Sequence, residues 1–290
     1  MTLAYLELIN RITEPLPPMP VARLGPPPFT PLAKPLAHAS VMICSSAGVH
    51  RRDEAPFVPI NDLSVRLLDA GLAPAQLRPS HPSPIRRPGL IDVNVVHPYQ
   101  RLAELAAAGL IASATSRHLS ILGAIKTLVP MVEQMAPAMA AAAREDGADL
   151  LLLVPLCPAC HQAVGILARA IERSGIPTVV LCSALDIIEL VRPPRTVFLD
   201  YPLGNCAGAP KDAEGQRRIL AATLEAAAGM SLPGAVVELD EAWPEPGWEK
   251  AVVEQYEREA ATVAAQRAHE FDAEGRHVAA EQAELVAAMV

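Results

Sequence analysis

Two textures alternate along this chain. Several runs are almost unbroken apolar: SVMIC at 40–44, VNVVHP at 93–98, DLLLLVP at 149–155, TVVLC at 178–182 and RTVFLD at 195–200. Between and after them lie amphipathic stretches, among them YQRLAELAAAGL, MVEQMAPAMAAAAREDG, HQAVGILARAIERSG and DAEGQRRILAATLEAAAG. Short continuous apolar runs read as strands covered on both faces, and the amphipathic stretches as the helices that cover them. Their alternation predicts βαβ units, hence an α/β fold built on a mostly parallel sheet with helices on both faces. Cysteines at two strand ends, Cys44 and Cys157, add the expectation of a duplicated half, two pseudo-symmetric lobes facing each other.

The pattern changes at both ends. Residues 1–39 open with a short amphipathic segment and then carry nine prolines before position 36, which favours an extended arm over helix or central strand. Residues 40–232 hold the strand and helix alternation and read as the catalytic core. Residues 233–290 become charged and rich in Ala and Glu, and read as a C-terminal helical extension suited to a surface or to a second copy of the chain. The arm and this extension together predict a homo-oligomer.

Composition narrows the function classes. Of 290 residues 51% are hydrophobic and 19% charged, with a formal charge of −8, so disorder is excluded and a nucleic-acid or anionic-membrane surface would be repelled. No apolar run is long enough for a membrane span, and the first residues lack a signal-peptide pattern. A cytoplasmic protein acting on a small molecule is the expectation. Five cysteines in such a chain are expected to stay reduced unless they are catalytic or redox-sensing.

In an open α/β sheet ligands bind at the carboxyl ends of the strands. LLLLVP is followed there by Leu156 and then Cys157-Pro158-Ala159-Cys160-His161. Two thiols at this spacing on a helix N-terminus are expected to gain from its positive end, with the first pKa lowered. Cys157 then attacks, Cys160 resolves, and His161 supplies charge or a proton. After the first strand, Cys44-Ser45-Ser46-Ala47-Gly48-Val49-His50 offers small residues for backbone approach to an anion, with His50 and nearby arginines as donors. Further strand-end candidates for substrate binding are His97, Arg117, His118 and Asn205. His81, between Ser80 and Pro82, reads equally as a turn residue and as a ligand. Cys182 and Cys206 read as structural. A zinc site on Cys157 and Cys160 would need two further ligands, and no second Cys-x-x-Cys supplies them, so no metal is assigned.

Taken together these stretches resemble the selenoprotein B family of glycine, sarcosine, betaine and D-proline reductases, in particular its shorter D-proline-reductase-like members. The matching segments are SSAGVHRRDEAPF, the SHP of residues 80–82, DVNVVHPYQRLAELAAAGLI, SRHLSILG, the Cys157 motif and AIERSGIPTVVLCSALDIIELVRPPRTVFLDYPLGN, within about residues 40 to 228. The resemblance implies that Cys157 stands at the family's selenocysteine position with Cys160 as its partner. It implies an oxidoreductase: Cys157 attacks the carbon bearing nitrogen in a small amino acid or amine-like substrate, and Cys160 resolves the adduct to a disulfide. An external dithiol such as thioredoxin would restore the thiols. No cofactor is evident in this chain, although the glycine and D-proline enzymes use a pyruvoyl-bearing partner subunit that it does not encode. Two other readings stay open. Cys44 and Cys157 could act as the acid/base pair of a cofactor-independent racemase, decarboxylase or lyase, or the cysteines could serve zinc binding or thiol sensing.

Overall fold

The computed structural model describes residues 2–271 and 276–290. Its centre is an eight-stranded sheet. In chain order the strands are β1 (Ser40–Ser45), β2 (Val49–Arg51), β3 (Arg66–Asp69), β4 (Leu77–Pro79), β5 (Ser113–Ala114), β6 (Arg117–Ser120), β7 (Leu150–Val154), β8 (Thr178–Cys182), β9 (Arg195–Phe198) and β10 (Ala235–Glu238). The sheet runs β10-β9-β8-β7-β1-β6-β3, with β5 beside the start of β1, while β2 and β4 form a separate antiparallel pair. Only β3 runs antiparallel within the large sheet.

Alternate residues of the central strands feed two cores. Met42, Cys44, Leu151, Leu153, Val180 and Cys182 face one layer of helices, and Val41, Ile43, Leu150, Leu152, Val179 and Leu181 face the other. That two-sided burial is why these strands are apolar at every position instead of every second one. Removing each such side chain from water contributes about 1.5–3 kcal/mol. The first layer includes α1 (Tyr5–Ile12), and the second holds α2 (Arg87–Ile91) and α3 (Tyr99–Ala107) near the loops that follow β4. A helical stretch made of α4 (Leu128–Pro130), a π-turn at Met131–Met135 and α5 (Ala136–Glu145) joins the first layer, with α6 (Pro158–Arg173) and α7 (Leu185–Val191); α8 (Ala213–Gly229) joins the second. The C-terminal segment forms α9 (Trp248–Arg258), α10 (Ala260–Arg267) and α11 (Val278–Met289), which pack over α1 and α4.

The chain lays down β1, crosses to the margin strand β3, comes back inward through β5 and β6 beside β1, and then places β7 on the other side of β1. Strand order therefore reverses between β1 and β7, and a crevice opens there at their carboxyl ends. The proline arm is tied to the body by hydrogen bonds from Ala22 N to Gln162, from Leu24 N to Leu190 O and from Thr30 N to Glu172. Glu172 in turn pairs with the buried Arg195 at 2.6 Å, whose guanidinium covers the Phe29 ring.

Three expectations are corrected. VNVVHP is not a strand: Asp92 accepts from Asn94 N and bends residues 93–95 into a 3-10 turn, and strands absent from the pattern are Arg66–Asp69, Ser113–Ala114 and Arg117–Ser120, whose shortness and polar ends hid them. The segment after residue 232 is not wholly helical, because Ala235–Glu238 extends the sheet beside β9. Two facing lobes do not form, since β1 and β7 are neighbours in one sheet.

Candidate functional site: a thiol pair and a histidine at the strand switch

The site is assembled from three chain segments that converge on the β1/β7 crevice. β7 runs into Leu156 and Cys157, and Cys157 becomes the N-cap of α6, its sulfur accepting from Cys160 N at 3.4 Å. Proline at the first helical position suits this geometry, since its missing N–H has no partner there in any helix. One turn on, the two sulfurs are 3.1 Å apart and both thiols are free. A disulfide would require them to close by about 1 Å.

The residue that follows β1 is Ser46. Its hydroxyl accepts from Leu156 N at 3.0 Å and its carbonyl accepts from the Cys160 thiol at 3.8 Å. Gly123, after β6, donates its N–H to the same carbonyl. The backbone comes so close there that a Cβ on Gly123 would stand 2.6 Å from the Cys160 sulfur, which explains a glycine at this position.

The loop after β4 brings His81, pinned to the β1 loop by donation from His81 N to Ala47 O and from Ser80 N to Gly48 O. Nε2 of the ring lies 3.4 Å from both sulfurs. On its other side Nδ1 accepts a hydrogen bond from Ser83 N at 3.1 Å, so the neutral ring carries its proton on Nε2 and presents an N–H to the thiol pair. The ring is thus a donor to a thiolate.

The pair is electrostatically split. Burial, and after it the hydrogen bond to Cys160, push the Cys157 thiol well above its ordinary value. Burial pushes Cys160 the same way, but the Cys157 hydrogen bond, the His81 ring and Ser46 outweigh it and hold Cys160 well below. Two thiols in contact titrate as a pair in two steps, and the opposite shifts make the first step easier than the second. The expectation that the helix N-terminus alone would depress Cys157 is therefore corrected: in this buried setting the thiol partner and the histidine decide where the charge sits.

The remaining candidates scatter. His161 has both nitrogens engaged by backbone, Nδ1 donating to Cys157 O and Nε2 accepting from Ser183 N and Ala184 N, and burial lowers its pKa to about 4. It fixes the loops on either side of the crevice and has no nitrogen left for the sulfurs. Cys44 lies inside β1 between Leu119 and Leu153, where burial drives its thiol far upward, and it does not face Cys157 across a pocket. Ser45 donates to Val96 O, and His50 bonds the Arg51 carbonyl. His97 and His118 meet edge to face in the second core, ring centroids 5.8 Å apart, both with pKa values pulled down by burial. Arg117 pairs with Asp146 at 2.6 Å, at the amino end of β6 and thus the edge opposite the crevice. Asn205 donates to Pro202 O beside Cys206, and its side-chain carbonyl is buried without a partner.

His81 is the residue that sequence reasoning left undecided. The signal was present in the Ser-His-Pro triplet, but nothing local in the letters says that this loop folds back over a strand end more than seventy residues before Cys157.

His81, Cys157 and Cys160 place three ligand atoms within 4.8 Å of one another, a spacing a metal ion could bridge. For Nε2 to ligate, the ring proton would have to move to Nδ1, where it would oppose the Ser83 N–H. The hydrogen bonding therefore fits a proton-bearing ring better than a metal ligand.

A cavity of about 80 Å³ gives onto Cys157, which is itself only 6% exposed. The extension closes over it: Tyr256, Gln266, Arg267 and Glu270 line the cavity together with His81 and Lys126. No helix among the described residues is long and apolar enough to cross a membrane.

Fold and site define a class: an α/β protein with a reduced, histidine-backed dithiol at the topological switch point of a parallel sheet. The chain is homologous to gamma subunits of amino-acid reductases. It is 28% identical over 214 residues to D-proline reductase subunit gamma of Acetoanaerobium sticklandii, covering 74% of this chain and 88% of that protein. It is 31% identical over 126 residues to glycine reductase complex component B subunit gamma of Carboxydothermus hydrogenoformans, covering 42% of this chain and 28% of that one. No family model and no solved structure matches the chain.

Proposed function

We propose that this chain is the thiol-bearing subunit of an amino-acid reductase, in which Cys157 attacks a small amino-acid or amine-like substrate and Cys160 resolves the adduct. Cys157 passes its proton across the 3.1 Å contact to the Cys160 thiolate as its sulfur attacks the carbon bearing nitrogen; the S–C bond forms, the C–N bond breaks, and the amine leaves with that proton, so Cys160 is again anionic. The Cys160 thiolate then attacks the Cys157 sulfur, and the S–C bond breaks with its electron pair going to carbon, which takes a proton. Two electrons pass from the dithiol to the substrate, and a Cys157–Cys160 disulfide remains. His81 would stabilise whichever sulfur is anionic, and its Nε2 proton is the nearest to either. An external dithiol such as thioredoxin would restore the pair. A pyruvoyl-bearing partner subunit would activate the amine, as the family resemblance implies.

The observation that carries this reading is the 3.1 Å separation of two free sulfurs with one histidine nitrogen 3.4 Å from each. The acid/base alternative on Cys44 and Cys157 loses support because the two thiols do not face each other. The reading is tested by incubating the reduced protein, alone and with its carbonyl-bearing partner, with D-proline and other small amino acids. Wild type should form ring-opened or deaminated product and the disulfide in equal amounts. Cys160→Ser should stop at a covalent adduct on Cys157, whereas undiminished multiple turnover by Cys160→Ser would contradict the scheme.

A further inference from the structure

The cavity beside Cys157 carries a charge imbalance. Glu270 accepts from Lys126 Nζ at 2.7 Å and from Arg267 Nε at 3.0 Å, so among the described residues two cations converge on one carboxylate, all three nearly buried. His277 Nε2 lies 3.4 Å from the same carboxylate, burial lowers its pKa, and an imidazole supplies no negative charge to balance the two cations. The remaining Arg267 nitrogens are spent on Thr13 Oγ1 and Pro17 O. Lys126 differs: its ammonium has three N–H groups and the bond to Glu270 uses one. Among the described residues these two cations thus share one carboxylate, and uncompensated buried charge is costly, so an anion is the expected guest.

A second, independent feature points the same way. The Tyr256 hydroxyl is buried without any hydrogen-bond partner, and the ring lines the same cavity. Buried hydroxyls are rarely left unpaired, and this one lies on α9 in the cavity that Cys157 and Lys126 also line.

We propose that the Lys126 ammonium and the Tyr256 hydroxyl form a carboxylate subsite beside Cys157, so that the ligand of this cavity is a small carboxylate whose other end lies against the thiol. The C-terminal extension then supplies part of the binding site, through Tyr256 directly and through Glu270 and Arg267, which position Lys126. That the carboxylate is the substrate's own rests on the function proposed above; the subsite itself does not.

The test compares alkylation of Cys157 by iodoacetate, a small carboxylate, with alkylation by neutral iodoacetamide, each rate read by mass spectrometry of the Cys157 peptide. Any change in thiol ionisation affects both reagents alike and cancels in the ratio of rates. Lys126→Gln should lower the iodoacetate to iodoacetamide ratio about tenfold, the worth of one charge-assisted hydrogen bond. Lys126→Arg should retain the ratio, and Tyr256→Phe should lower it severalfold. An unchanged ratio in folded Lys126→Gln overturns the proposal. Should that variant fail to fold, an unchanged ratio in Tyr256→Phe overturns it equally. Absence of reductase activity in the wild type, with the ratio still falling in Lys126→Gln, would count against the proposed function alone.

Discussion

Gly123→Ala perturbs the site without touching a titratable group. The new methyl carbon would lie 2.6 Å from the Cys160 sulfur, 2.9 Å from Cys160 Cβ and 2.9 Å from Ser46 Cβ. Ordinary contact needs about 3.5–4.0 Å, so the structure must yield by roughly 1 Å. Ser46 cannot move freely, because its hydroxyl and carbonyl hold Leu156 and Gly123. Cys160 sits in the first turn of α6 with its own backbone bonded, so the displacement falls on the side chain and pushes its sulfur out of line with Cys157 and His81. Overpacking of this kind costs about 1–3 kcal/mol, which in a domain of this size lowers Tm by several degrees. The assay is a thermal melt paired with the rate of Cys157–Cys160 disulfide formation under mild oxidant. The variant should melt lower and oxidise at least several-fold more slowly. Melting within about 1 °C of wild type, with an unchanged oxidation rate, would refute the close-packing argument.

Further outcomes follow from the same geometry. Because Cys160 is held well below its ordinary value, alkylation of the pair should reach its plateau well under pH 9, and His81→Ala, which removes the N–H donor, should move that midpoint upward; a midpoint indifferent to His81 would speak against the donor role. His161 is neutral in the fold with a pKa near 4 against 6.5 ordinarily, so between those values the unfolded chain binds the extra proton and stability falls as pH drops. That contribution is lost progressively from pH 6.5 down to about 4 and amounts to about 3 kcal/mol, so denaturant melts of His161→Gln should be less stable at neutral pH but show a shallower acid slope. Glu172→Gln leaves Arg195 buried and unpaired and weakens the hold on Thr30, so chemical unfolding should show a loss of about 3–5 kcal/mol, together with faster proteolysis of the proline arm.

Much of the fold was legible in the letters because burial on both sheet faces forces unbroken apolar runs, and DLLLLVP and TVVLC admit no other economical reading. Strand Arg117–Ser120 was missed because it joins an antiparallel neighbour near the sheet margin, where a histidine and an arginine are tolerated. The Cys157–Cys160 pair was legible because an i, i+3 spacing after a strand is local information. His81, Gly123 and the lining residues of the extension were not, since their roles arise only when loops far apart in sequence meet at the strand switch. His97 and His118 lie apart from the thiol pair, buried in the second core, and a buried histidine near a strand looks the same in sequence as one at the cluster.

The central claim is that Cys157 and Cys160 form one redox-active dithiol. Its most direct measurement is a thiol count in denaturant before and after mild oxidation, with the cross-linked peptide identified by mass spectrometry. The account predicts a fall from five free thiols to three, with Cys157 joined to Cys160 and the change reversed by an external dithiol. A count that stays at five, or a bond that joins any other pair, would contradict it.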